Sequence, residues 1–206
     1  MKMLLSDNEI LKLIENPRPL IAPFDGKRLQ SSSYDVTLAD SIQEIVAMPG
    51  IVNLLDQRTV DSVYESIDIS NGYILKPGQF VLCKLSERIE LPDDIAAHIM
   101  PRTRFTRFGL LVSAQHCNPS YAGTLSIGMH NSSPNNISLA PGMAVAQLVF
   151  ERLSSEPCRE RLYRNRKDAL YHNEEDFIGS QFLDDLSPQA KAIFEDMVSS
   201  LSGGGE

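Results

Sequence analysis

The hydrophobic positions of this 206-residue chain fall into three textures. Near the N-terminus, Ile10, Leu11, Leu13 and Ile14 follow helical spacing. Ser6-Asp7-Asn8-Glu9 precedes them with a Ser cap and a Glu three residues on, and Asn16-Pro17 ends the run, so one short helix is predicted. From Leu20 to about Leu153 the apolar runs become short and alternate with polar residues. They cover Ser33–Leu38, Gly72–Leu75, Phe80–Leu85, Leu110–Ala114, Thr124–His130 and Val145–Phe150, separated by clusters of Pro, Gly, Asn and Asp. That punctuation predicts a mainly β chain, a barrel or sandwich of many short strands. Lys76-Pro77-Gly78-Gln79 and Ala140-Pro141-Gly142-Met143 are read as turns entering strands: Pro presets one turn position and Gly supplies the positive φ of the next.

The third texture begins after the strands. Residues 154–182 are polar, tyrosine-bearing and without period, and read as an extended arm or loop. Ser187-Pro188 offers a cap and a first-turn proline. Ile193, Phe194, Met197, Val198 and Leu201 then make one apolar stripe, so a C-terminal amphipathic helix is expected over 188–201, followed by a disordered tail. With no linker in view, the organisation expected is a β domain with its arm over 1–182 and a helix with tail over 183–206.

Charge narrows the partners. Nineteen Lys+Arg against 27 Asp+Glu leave a net charge of −8, which argues against a surface that tracks nucleic-acid phosphates. A local pocket for a small anion stays open. No apolar run approaches the roughly 18–20 residues that span a bilayer, and the start lacks a signal peptide's small-residue cleavage site. Cys83, Cys117 and Cys158 are odd in number and widely spaced, which points neither to a disulfide framework nor to a cysteine metal site. A cytoplasmic protein is the expectation.

Against that acidic background Arg102-Thr103-Arg104-Phe105-Thr106-Arg107 stands out, with three guanidinium groups in six residues and hydroxyls between them. Guanidinium matches phosphate oxygens with paired hydrogen bonds, although a solvated basic loop would have the same composition. Asn118-Pro119-Ser120-Tyr121-Ala122-Gly123 reads as a turn between strands 110–118 and 124–131. If those strands pair as a hairpin, His116 shares a face with Asn118 and His130 with Gly128. Tyr121 could stack on a sugar or base.

In order along the chain, these segments resemble the dCTP deaminase and dUTPase superfamily, from residue 4 to about 182. Leu5-Ser6-Asp7-Asn8-Glu9-Ile10 is similar to the opening of the deaminase branch. Pro23-Phe24-Asp25, Gln30 to Leu38, Leu75 to Leu82 and Glu90 to Ile95 resemble its early strands. Arg102 to Gly109 lies at its Arg-Ser-Ser-x-x-Arg-x-Gly signature, Pro141 to Phe150 at its late strand, and Tyr163 to Tyr171 in its arm.

The resemblance implies a distorted β barrel assembled as a homotrimer, with sites between subunits for a pyrimidine deoxynucleoside triphosphate and Mg²⁺ on the phosphates. It implies conversion of dCTP to dUTP, of dUTP to dUMP, or both. It assigns Arg102, Thr103 and Arg107 to phosphate and Tyr121 to deoxyribose, with Tyr171 and Gln147 also nucleotide-binding. The departures fall on catalysis. The family's proton-transferring Glu corresponds to Gly128, the water-orienting Asp to Asn118, a triphosphate-binding Lys to Leu170 and a nearby Gln to Glu174. Losing a general base removes typically about 10²–10⁴-fold of rate. His116 and His130, with Asn118, are the substitutes left to carry catalysis, since imidazole titrates near neutrality. The readings are therefore a nucleotide-binding hydrolase of this kind, a catalytically silent sensor, sequestering protein or scaffold on the same trimer, or an enzyme acting on a different nucleotide.

Overall fold

The computed structural model describes residues 3–182 and 186–202. In chain order its elements are β1 (Met3–Leu4), α1 (Asp7–Ile14), β2 (Ile21–Ala22), β3 (Tyr34–Ile45), α2 (Gln57–Asp61), β4 (Tyr64–Asp68), β5 (Tyr73–Leu75) and β6 (Phe80–Glu90). β7 (Ile95–Pro101), α3 (Thr103–Phe108), β8 (Leu110–Val112), β9 (Gln115–Cys117), β10 (Ala122–Asn131), β11 (Ile137–Leu139), β12 (Ala144–Arg152) and α4 (Pro188–Ser202) follow. The mainly β expectation holds, and every apolar run named above falls on a strand.

Ten strands form one antiparallel sheet along the path β8-β10-β6-β3-β12-β7-β9, with β1, β2 and β4 attached to β12, β6 and β3, while β5 and β11 pair separately. The two ends of that path, β8 and β9, are joined by only Ser113 and Ala114. A connection that short forces the sheet to curl until its ends approach. Ser113 N–H donates to Gly128 O (2.8 Å) and Gln115 Nε2 to Ser126 O (2.9 Å), stitching the curl from the β9 side onto β10. The result is a half-closed barrel.

Period-two burial fills its interior. On β6 the buried positions are Val81, Cys83, Leu85, Glu87 and Ile89, facing fully buried Tyr34, Leu38, Leu148 and Phe150. Glu87 is the polar exception: Thr37 donates to it from both N–H and Oγ1, each at 2.8 Å, while burial pushes its carboxyl pKa up. Gly78 and Gly142 take φ of 76° and 79°, as the Pro-Gly turns require. α1 begins at Ser6 with Glu9 Oε2 accepting from the Ser6 N–H (3.3 Å). α4 starts where Ser187 Oγ accepts from the Ala190 N–H (3.2 Å). Of its stripe, Ile193 and Met197 are exposed and Phe194 and Val198 half-buried. The Leu201 side chain and residues 203–206 lie outside the described residues.

Two local expectations are corrected. Segment 110–118 does not pair as one strand of a hairpin with 124–131. β8 pairs with β10 (His130 opposite Leu111), whereas β9 crosses over to pair with β7 (His116 opposite His98). The cause is the curl, in which β9 covers an edge of β7 that would otherwise present unpaired backbone groups. The basic segment is not a loop: residues 103–108 form α3, capped by Arg102 and ended by Gly109 in the left-handed region.

Candidate functional site

The curl leaves a cleft of about 420 Å³ where β9 approaches β10. Its floor is Leu82, Leu125 and Tyr121, its walls are Gln115 to Asn118 and Ser126, and its roof is the arm. The structure gives the arm, residues 154–182, a defined course. Tyr163 N–H donates to Pro119 O and Arg164 N–H to Ser120 Oγ, both at 3.2 Å. Arg164 also grips Asp93 with two nitrogens (Nη2 to Oδ2 2.7 Å), which holds the Asp93 carboxyl below the usual carboxylate range. Further on, Asn173 N–H donates to Ala122 O and Thr124 N–H to Glu174 O, both at 2.7 Å, so the arm adds a short parallel bridge to β10. The last stretch is tied to β4 and α2. Phe177 meets Tyr64 edge-on at 5.0 Å, Ser180 Oγ lies 2.8 Å from Tyr64 Oη, and Gln57 Nε2 donates to Ser180 O at 2.9 Å.

Gly123 makes the bridge possible. Its φ is 147°, and a Cβ there would stand 2.8 Å from Tyr121 Oη and 3.1 Å from both the N and O of Glu174. Backbone approach that close admits only glycine.

The cleft's chemistry is that of a nearly uncharged pocket. Tyr121 is 5% exposed, its ring 5.6 Å from that of Tyr163, and Tyr171 N–H donates to Tyr163 Oη (3.3 Å). Burial pushes all three phenol pKa values up. The Cys117 thiol is pushed up to about 12 by burial, so it is no thiolate nucleophile. Glu174, 7% exposed, is the carboxyl of the pocket. Oε1 accepts from the Ile178 N–H (3.0 Å), but burial outweighs that bond and raises its pKa. No Lys or Arg lines the cleft among the described residues. Aromatic faces, an amide and one buried carboxyl suit a neutral ring system with hydrogen-bonding edges.

The residues singled out from sequence divide into those in the cleft and those outside it. His116, Asn118, Tyr121 and Tyr171 line it. His130, opposite Phe80 and Leu111 in the sheet, and Gln147, opposite Asp35 and Met100, are not among its lining residues. Arg102 is turned into its own chain. Its Nη2 lies 2.8 Å from Asp35 Oδ2 and its Nη1 donates to Ala144 O at 2.9 Å, and the two side chains are 16% and 6% exposed. Thr103, Arg104 and Arg107 stand exposed on α3. Sequence reading missed Phe177 and Ile178 as cleft residues, whose only signal was their place in the arm, and reached Glu174 only through the resemblance.

At Gly128 there is no space for a side chain. A Cβ at that position would lie 2.5 Å from Ser113 Oγ and 2.8 Å from Cε2 and Cζ of Phe80, so both groups occupy the volume into which a carboxylate would project. Among the described residues no group of three or more His, Cys, Asp or Glu side chains is gathered around a common point for a metal. No helix among them is long and apolar enough to cross a membrane.

Comparison with known proteins agrees with this geometry. Residues 4–153 match the family model described as dCTP deaminase-like. The chain belongs to the dCTP deaminase-like family. It is 32% identical over 178 residues to the "dCTP deaminase, dUMP-forming" of Dictyoglomus thermophilum, covering 84% of this chain and 91% of that one. It is 36% identical over 175 residues to the enzyme of the same name from Beutenbergia cavernae, covering 81% and 88%. Among solved structures, the 2'-deoxycytidine 5'-triphosphate deaminase of Agrobacterium tumefaciens superposes with a TM-score of 0.61 at 21% identity. The match covers 73% of this chain and 48% of that one, so this chain spans about half its length. The likeness establishes a shared dCTP deaminase-like fold.

Proposed function

We propose that this protein binds a pyrimidine deoxynucleotide in the cleft between β9, β10 and the arm without the carboxylate-driven hydrolysis of its deaminase relatives. Relatives named for acting on dCTP supply the ligand class. Phenol faces from Tyr121 and Tyr163, with Asn118 and Glu174 as polar groups, take the base and sugar. The phosphates need cations that the cleft lacks. Arg104 and Arg107 of a neighbouring copy in a homotrimer provide them, with the Thr103 hydroxyl as a further donor and Mg²⁺ entering on the triphosphate rather than on protein carboxylates. Arg102, engaged by Asp35, keeps the start of α3 in place.

The observation that carries the silent reading is Gly128 beneath Phe80 and Ser113. Deamination at C4 needs a group that takes a proton from the attacking water and hands it to the leaving amine. Glycine cannot do that, and the Asn118 amide cannot accept a proton near neutral pH. The test is incubation with dCTP and dUTP in the presence of Mg²⁺, following uracil formation and pyrophosphate release beside thermal stability. No turnover together with nucleotide-dependent stabilisation is expected, about 2.7 kcal/mol at 100 times the Kd. A second reading, retained hydrolysis, has His116 and Glu174 in its favour, since both line the cleft. Turnover abolished by their substitution would establish it in place of the first.

A further inference from the structure

We propose that His98 and His116 form a seat for a borderline divalent metal ion, Zn²⁺ or a close analogue, at the outer rim of the cleft. The two histidines face each other directly in the β7–β9 ladder. Their Nδ1 atoms are 3.4 Å apart, with the rings tilted by 48° rather than stacked. Two imidazole nitrogens at about 2.0–2.1 Å from one tetrahedral metal stand about 3.3–3.4 Å apart, so the pair already has the bite of two ligands.

A third residue supports that reading. Glu151, on β12 at the other side of β7, places Oε2 3.9 Å from Nε2 of His98. At 3.9 Å this is no direct hydrogen bond, but the nearby negative charge favours the proton on the nitrogen it faces, which leaves the opposite nitrogen, here Nδ1, with its lone pair available. The alternative arrangement is a plain Nδ1–H···Nδ1 hydrogen bond between neutral rings, which holds no metal. Two protein nitrogens leave two positions of a tetrahedral ion for water. Because His116 also lines the cleft, one of those positions can pass to a donor group of a bound ligand. The seat does not depend on what the cleft binds.

Untagged full chain, stripped with EDTA, is titrated with Zn²⁺ by calorimetry and with Co²⁺ by visible absorption, whose intensity reports tetrahedral geometry. One ion per chain is expected. His98→Ala and His116→Ala should each lower affinity at least about tenfold, and Glu151→Gln by less than either, since its carboxylate acts from 3.9 Å without a hydrogen bond. His130→Ala should leave it unchanged. Melting of the metal-free variants checks that the outward-facing substitutions leave the strands paired. Absence of Zn²⁺ uptake by the wild type, or uptake that the His98→Ala/His116→Ala double variant retains, overturns the proposal.

Discussion

The cleft and α3 are built in opposite ways. The cleft is enclosed, aromatic and without a cation among its described lining residues, and its one carboxyl is driven toward the neutral form by burial. α3 is six residues long and open, with Arg104, Arg107 and Thr103 facing outward beside a 58% exposed Phe108. The contrast teaches that an aromatic enclosure and an exposed cationic surface are separated on one chain. Under the proposed reading only a second copy, presenting its α3 to the first copy's cleft, joins them, which is how a symmetric oligomer can complete a site.

The arginines give the sharpest break of that comparison. Arg102→Ala should destabilise the fold by about 3–5 kcal/mol in urea denaturation, because it leaves the Asp35 carboxylate buried without its partner. Gly123→Ala comes next, at about 1–3 kcal/mol, since a Cβ would strain a positive-φ residue and push on the Glu174 backbone. Proteolysis of the arm should accelerate in that variant, separating loss of the roof from loss of the barrel. Arg107→Ala should change the ligand-free protein by less than about 0.5 kcal/mol, as expected for an exposed side chain. It should nevertheless abolish most nucleotide-dependent stabilisation in the same melting experiment. Equal behaviour of Arg102→Ala and Arg107→Ala would erase the distinction between an inward, structural arginine and an outward, binding one.

The smallest effect concerns Glu174. Burial raises its carboxyl pKa in the folded chain, so the folded state holds that proton more tightly than the unfolded state does. Stability therefore falls as pH rises from the ordinary carboxylate range toward the raised folded value, and is unaffected below both. Glu174→Gln keeps an acceptor for the Ile178 N–H and removes the titration. Its melting temperature should exceed that of the wild type near neutral pH, with the gain vanishing in acid; Glu87, also raised, keeps part of the slope in both proteins.

Strands, both terminal helices and the Pro-Gly turns were legible because they rest on local rules: periodicity, caps and the φ preferences of Pro and Gly. The cleft was half legible. His116, Asn118 and Tyr121 sit on or beside one turn, so strand alternation and turn chemistry pointed to them together. The inward course of Arg102 was not legible, since three arginines in a row of six look alike until Asp35, sixty-seven residues earlier, pairs with the first. His98 was not singled out at all, because its partnership with His116 exists only through the pairing of β7 with β9.

What the sequence by itself determined is therefore the set of elements, the family and a glycine at position 128. Tertiary structure decided where β9 pairs, where the arm lies, which arginine turns inward and what fills the volume beside Gly128. The physical reason is range. Helix caps, turns and alternating burial act over a few residues, whereas the curl of the sheet, set by a two-residue link between its opposite ends, brings Phe80, Ser113, Gly128 and Glu174 to their neighbours from distant parts of the chain.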